Sequence, residues 1–310
     1  MEHVITLIGN PEKRALDGTL VMAAQAALQR QGATSGTVDW LAAGIALDLP
    51  AQCARPLAAI TAELRRDLAA FAVDIAVQPM AGRRKGLLVA DMESTIIENE
   101  MLDELADFVG LRAKVAEITR RAMNGELDFA GAVRERVALL KGLPATVLDE
   151  SMKRVRLMAG ARELVATMRA NGGYCALVSG GFGFFTGRVR QMLGFDFDQA
   201  NEIDTANGQL SGTVREPILD KNAKLAALRH LAETRHLSLS ATIAVGDGAN
   251  DLPMLQAAGL GVAFHAKPAV AAEVSIRIDH GDLTALLYLQ GYHASDFRQS
   301  FETPSQHASR

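Results

Sequence analysis

The sequence predicts an α/β protein in two parts. A doubly wound, Rossmann-like parallel sheet carries a helical cap insertion, and a small ferredoxin-like α+β domain precedes it. Three observations lead there. From Gly86 onward short apolar runs alternate with helical stretches, the pattern of a parallel sheet with helices on both faces. One gap in that alternation, about eighty residues of helical character before Tyr174, is too long for a single crossover helix and reads as an insertion. The residues ahead of Gly86 instead give the order βαββαβ, the split βαβ pattern.

The N-terminal elements follow from periodicity. His3 to Ile8 is an apolar strand, and Leu16 to Gln31 is helical up to the stop at Gly32. Thr37 to Leu41 and Gly44 to Leu49 read as a hairpin, Pro56 to Phe71 as an amphipathic helix and Val73 to Val77 as the last strand. Residues 1–80 are thus expected to form a self-contained domain. The stretch Gln78 to Lys85, with Pro79, Gly82 and a run of basic residues, reads as a linker to a core spanning 81–292.

In that core Leu87 to Ala90 is a buried strand, and about 100–153 is the expected cap. Tyr174 to Ser179 is the next strand. Ala200 to Val214 reads as a polar hairpin turning at Asn207-Gly208. Later strands fall at Ile243 to Gly246, Leu260 to Phe264 and Ile276 to Ile278, with helices near Asn222 to Thr234 and Asp251 to Ala258. The tail 293–310 is polar and aperiodic, the composition of a disordered end.

Bulk properties narrow the function. The 310 residues, 49% hydrophobic and 22% charged, describe a soluble globular chain with a substantial core. A net charge of −4 and the absence of a basic block interleaved with aromatics argue against nucleic acid. The apolar runs are too short for a membrane span, and the N-terminus has no leader pattern, so a cytoplasmic protein with a small-molecule partner is expected. Cys53 and Cys175 lie far apart without zinc-ligand spacing and read as buried filler in a reducing compartment. The seven histidines are scattered and carry no role.

Four segments place polar residues where strands end, and ligands of parallel sheets bind beyond the carboxyl ends of the strands. They are Asp91-Met92-Glu93-Ser94-Thr95, Ser179-Gly180-Gly181-Phe182, Lys224 in Asp220-Lys221-Asn222-Ala223-Lys224, and Gly246-Asp247-Gly248-Ala249-Asn250-Asp251. Each has a plain reading alone: helix capping for the first, a strand-to-helix turn with Ser179 as N-cap for the second, an exposed lysine, and a solvated turn. Together they assemble a phosphoryl-transfer site. Repulsion between a phosphate dianion and a carboxylate calls for a lysine and Mg²⁺, a hard cation suited to oxygen ligands, before Asp91 can attack. The poor alkoxide leaving group calls for a proton donor such as Glu93.

These four motifs, in this order from Gly86 to Leu289, resemble the haloacid dehalogenase (HAD) superfamily of phosphatases, and within it the phosphoserine phosphatase family. The resemblance implies hydrolysis of O-phospho-L-serine through an aspartyl phosphate on Asp91, the last step of serine biosynthesis. It implies Mg²⁺ held by Asp91, Asp247 and the backbone carbonyl of Glu93. It further implies phosphate held by Ser179, Gly180 and Lys224, with Asn250 and Asp251 supporting the metal and the lysine. The run from Ile96 to Ala106 matches the family's continuation into the cap. There Glu100 would meet the substrate ammonium, Arg136 its carboxylate, and Met123 and Phe129 would close over it. One departure stands out: the family has aspartate where this chain has Glu93, so dephosphorylation is the step expected to change. Rival expectations are a related phosphatase or phosphotransferase acting on another phosphomonoester, and a non-catalytic phosphoamino-acid sensor. The N-terminal domain resembles, by its order of elements, the small amino-acid-binding regulatory domain called ACT; its Gly9-Asn10-Pro11 turn could support ligand binding, and dimerisation (a homodimer) or packing is an equal alternative.

Overall fold

The computed structural model describes residues 2–123 and 126–300. The chain opens with β1 (His3–Ile8), α1 (Gly18–Arg30), β2 (Thr34–Ser35), β3 (Asp39–Ala42), β4 (Ala46–Gln52), α2 (Leu57–Asp67) and β5 (Asp74–Pro79). The Asp17 side chain caps α1 by accepting from the Thr19 and Leu20 N–H groups, and Gly32 follows its end at φ 73°. The strands form one antiparallel sheet in the order β2-β4-β1-β5, with β3 also paired to β4. Ile5, Leu7, Leu47 and Leu49 pack with the apolar stripe Leu20, Ala24 and Leu28 of α1 and with Ile60 and Leu64 of α2.

The other face of this sheet is covered too. Ile8, Ala42, Ala46 and Ala76 share an apolar cluster with Leu286, Tyr288 and Leu289 near the C-terminus. The expected linker is therefore not one: Gln78 and Pro79 belong to β5, and the residues after them are docked. The Arg83 guanidinium donates to both Asp48 oxygens and to the Tyr288 carbonyl at 3.0 Å, while Nε reaches the Leu289 carbonyl at 3.1 Å. Asp74, also buried, accepts the N–H groups of Asp279, His280 and Gly281. Burying these polar groups is tolerable only because each is paired.

The second part comprises β6 (Leu87–Ala90), α3 (Met101–Phe108), α4 (Arg112–Met123), α5 (Phe129–Ala138), α6 (Thr146–Met152), α7 (Ala161–Ala170), β7 (Tyr174–Phe182), α8 (Gly183–Leu193) and β8 (Phe197–Asn201). It continues through β9 (Ile203–Ala206), β10 (Gln209–Val214), α9 (Lys221–Thr234), β11 (Thr242–Gly246), α10 (Leu252–Ala257), β12 (Leu260–Phe264), α11 (Pro268–Glu273), β13 (Ile276–Ile278) and α12 (Ala285–Leu289). Six strands form a parallel sheet in the order β13-β12-β11-β6-β7-β8. Counted along the chain this is the doubly wound order 3-2-1-4-5-6, whose reversal lies between β6 and β11. Leu88, Ala90, Cys175 and Val245 face one helical layer, and Leu87, Val89, Ala176 and Ala244 face the other. Strands buried on both sides must be apolar throughout, which is why they show no alternation.

Helices α3 to α6 form the inserted cap, its Met101, Leu105, Val133 and Val137 continuous with the sheet's apolar cluster. Strands β9 and β10 pair through a turn at Asn207 (φ 53°) and Gly208 (φ 74°), both left-handed as a two-residue hairpin requires. This hairpin is stitched to the cap. Gly142 N–H donates to Leu210, Ala145 N–H to Gly208, and Leu210 N–H to Leu143.

Two further differences from expectation are local. Strand β8 was not expected, because its Phe-Asp-Gln-Ala-Asn sequence lacks an apolar run; it lies mostly ahead of the expected hairpin and takes Ala200 and Asn201 from it. The start of the expected disordered tail is ordered as well: Phe297 packs on Tyr288 at 5.2 Å between ring centres, and Arg298 N–H donates to Thr167. Residues 301–310 of that tail lie outside the described residues. No helix of the described residues is long and apolar enough to cross a membrane.

Candidate active site

The reversal point of the sheet sets Asp91, which follows β6, beside Asp247, which follows β11. The Asp91 N–H continues the ladder to the Val245 carbonyl at 3.0 Å, so the carboxylate leaves the sheet edge in a fixed direction. Lys224 rises from the first turn of α9, whose N-cap Asp220 accepts from Asn222 and Ala223. Its ammonium lies 2.6 Å from Asp91 Oδ1 and 2.6 Å from Asp251 Oδ1. Asp251 Oδ2 accepts the Gly248 N–H at 3.0 Å, which occupies both of its oxygens. Gly246 must lack a side chain here, since a Cβ would meet Asp251 Cβ at 2.7 Å.

One oxygen from each of Asp91, Asp247 and Asp251 lies within 4.8 Å of the others. A single lysine does not balance them. Burial first, then the charge of Asp251, pushes the Asp91 carboxyl up to about 7. Burial and Asp251 likewise push Asp247 up to about 6. Lys224 moves the opposite way: burial works against its charge, yet Asp91 and Asp251 hold it above the ordinary lysine range. An all-oxygen donor set short of positive charge fits a hard divalent cation.

Glu93 sits in the tight turn after Asp91, where Ser94 takes φ 54°. Its Oε1 accepts the Met101 N–H, the first amide of α3, at 2.8 Å, so the carboxylate spans from the core to the cap. Burial, and next the charge of Glu100, pushes its carboxyl up to about 8. A glutamic acid so shifted holds its proton at neutral pH and can donate it.

The remaining predicted residues divide by position. Ser179, buried, accepts the Gly181 N–H at 2.9 Å through Oγ. It is a strand residue, not a helix cap: β7 continues through Gly180 and Gly181 to Phe182, and α8 begins at Gly183 with Phe182 as its N-cap. Gly180 lies under the cap residue Phe129, whose Cζ would be 3.2 Å from a Cβ there. Asn250, half-buried, sets its Oδ1 against Gly248. In the cap, Glu100 is exposed and accepts the Ser94 hydroxyl at 2.7 Å. Arg136 faces the carboxylates of Glu93, Asp103 and Glu100 without an ion pair among the described residues, its Nε bonded to the Ala132 carbonyl. Burial lowers its pKa. Met123 ends α4, and its side chain lies outside the described residues.

Two residues escaped the sequence reading. Asn99, buried at the cap hinge, donates to Glu104 and accepts the Arg156 N–H, joining the two chain crossings between core and cap. Asn201, at the end of β8, bonds the Gly180 carbonyl. The sequence held no clear signal for the second, since β8 is half-buried and Asn201 is its one buried residue.

Comparison with known proteins agrees with this geometry. The model of the haloacid dehalogenase-like hydrolases matches residues 88–256, more than half of the chain. The phosphoserine phosphatase of Lactococcus lactis is 47% identical over 203 residues, 66% of this chain and 94% of that protein. Phosphoserine phosphatase SerB2 of Mycobacterium tuberculosis is 38% identical over 293 residues, 93% of this chain and 71% of that one. The crystal structure of a probable phosphoserine phosphatase from Vibrio cholerae, in unliganded form, superposes with a TM-score of 0.78 at 31% identity, covering 95% of this chain and 88% of that one. By sequence, by sheet order and by these matches, the chain belongs to the haloacid dehalogenase-like hydrolases and, within them, to the phosphoserine phosphatase family.

Proposed function

We propose that the protein is a Mg²⁺-dependent phosphoserine phosphatase that hydrolyses O-phospho-L-serine to L-serine and inorganic phosphate. The observation that carries this reading is the buried Asp91, Lys224 and Asp251 arrangement at the sheet's reversal point, roofed by a cap that presents Glu100 and Arg136. A zwitterionic α-carbon needs one anion and one cation, and these two residues are that pair.

Asp91, Asp247 and the Glu93 carbonyl would hold the cation, with Asp251 and Asn250 in support. Bound Mg²⁺ supplies the positive charge that lets a phosphate dianion approach a carboxylate. Lys224, Ser179 and Gly180 hold the phosphoryl oxygens. Asp91 attacks phosphorus in line, the bond from phosphorus to the seryl oxygen breaks, and Glu93 gives that oxygen its proton. The resulting Glu93 carboxylate then takes a proton from water as the water attacks the aspartyl phosphate. Cleavage of that bond releases phosphate and restores both acids. Met123 and Phe129 close over the substrate and keep bulk water out. Two free cysteines, Cys53 and Cys175, suit a cytoplasmic setting.

The test is phosphate release from phosphoserine, phosphothreonine and sugar phosphates, with and without homoserine as acceptor. Release from phosphoserine that requires Mg²⁺ and is lost in Asp91→Asn is the expected outcome. Equal rates across the panel, or transfer to homoserine, would replace phosphoserine hydrolysis with another phosphomonoester reaction. Binding without release would replace it with a sensor.

A further inference from the structure

The side chain of Asn201 belongs to none of the four motifs, yet both of its ends hold backbone that carries them. It is 2% exposed. Its Nδ2 donates to the Gly180 carbonyl at 2.7 Å, and its Oδ1 accepts the Leu219 N–H at 2.7 Å, one residue before the N-cap of α9.

The Gly180 carbonyl and the Gly181 N–H are the two sides of one trans peptide, so they point in opposite directions. Holding the carbonyl at Asn201 aims the N–H away from it, and the acceptor it meets is Ser179 Oγ at 2.9 Å. Ser179 is itself 2% exposed, and its own proton has no acceptor among the described residues. Glycine on both sides leaves this peptide with no Cβ to resist rotation.

We infer that Asn201 is a positioning residue for phosphate recognition, locking the Gly180–Gly181 peptide so that Ser179 accepts inward and donates its proton outward to the phosphoryl group. The donors then run in one direction, from the Asn201 amide through the peptide to the Ser179 hydroxyl and on to the substrate. A rotated peptide would instead turn the Gly180 carbonyl toward a dianion. Through Leu219 the same side chain also fixes the approach of α9, which brings Lys224. This inference rests on the phosphatase reading above.

The experiment is a double-mutant cycle in the full chain with phosphoserine as substrate. Asn201→Asp keeps the shape and the acceptor for Leu219 but sets a carboxylate oxygen against the Gly180 carbonyl. Asn201→Ala, run in parallel, removes the donor without adding charge and guards against an Asp variant that fails to fold. Either should lower kcat/KM about tenfold or more. In a Ser179→Ala background Asn201→Asp, which keeps the acceptor for Leu219, should cost less than about threefold, because the group it orients is gone. A merely structural role predicts losses that multiply, and that result would overturn the inference. A wild-type chain that releases no phosphate from phosphoserine would overturn the functional reading instead, so the two failures are distinct.

Discussion

Glu93 and Gly181 are in contact across the site: a Cβ on residue 181 would lie 2.8 Å from Glu93 Oε2 and 3.1 Å from its Cδ. The extra methylene of glutamate, relative to the aspartate of the family, is accommodated where the neighbouring strand has no side chain. Gly181→Ala should therefore push the carboxyl away from the leaving group and lower kcat about a hundredfold. Adding Glu93→Asp withdraws the carboxyl and should recover most of that loss. Steady-state kinetics of the two single variants and the double variant would check this, and a double variant no better than Gly181→Ala would contradict it.

Removing Lys224 leaves Asp91 and Asp251 buried side by side without their shared cation. Lys224→Met should destabilise the fold by about 3–5 kcal/mol, the usual effect of breaking a buried ion pair from one side. It should also abolish phosphate release. Denaturant unfolding and a phosphate assay measure the two effects separately. Lys224→Arg, which keeps the charge but not the compact ammonium, should recover stability more than activity.

The acidic triad predicts that a divalent cation stabilises the folded chain. Chelator treatment should end activity and lower the melting temperature, and Mg²⁺ should restore both. At a hundredfold excess over its dissociation constant the gain is about 2.7 kcal/mol. Asp247→Asn should remove most of that cation-dependent shift in a thermal melt, and an unchanged shift would place the cation elsewhere.

Cys175 should be inert while the chain is folded. Burial, and next the nearby Asp196, raises its thiol well above the ordinary cysteine range. A raised thiol pKa means less thiolate at any given pH, so alkylation by iodoacetamide should leave it untouched from about pH 6 to 9. Half-buried Cys53 should label first. Mass spectrometry should find a second label only after unfolding.

Arg83 joins the two parts of the chain with its side chain 11% exposed and that of its partner Asp48 7% exposed. Arg83→Met should lower stability by about 3–5 kcal/mol because Asp48 is left buried and charged. Combining it with Asp48→Leu should recover much of the loss. Turnover at low temperature should change little in either case, since neither residue touches the site.

The parts of the fold legible in the sequence were those written in local periodicity. The strands β6, β11, β12 and β13 and the Asn207-Gly208 turn follow from patterns a few residues long, and the cap insertion from the length of the helical gap between β6 and β7. Asp91, Asp247 and Lys224 were legible because each follows or faces a strand end. Strand β7 was read short because Gly180 and Gly181 carry no strand signature, and the ladder to β8 is itself interrupted between Val178 and Phe182. The docking of Arg83 was invisible for a different reason: its partners Asp48, Tyr288 and Leu289 come from distant segments that only the folded chain brings together.

The hydrogen bonds between residues 142–145 of the cap and 208–210 of the hairpin give the cap a third attachment to the sheet. A cap hung on two crossings could swing as a flap. With the hairpin fastened along its flank, opening must either peel apart those backbone bonds or carry the hairpin outward as cargo. The second course would leave the bonds intact, and Asn201, which ends β8 two residues before β9, would stand at the base of the moving unit. Admission of substrate and orientation of the Gly180 peptide would then meet at one side chain.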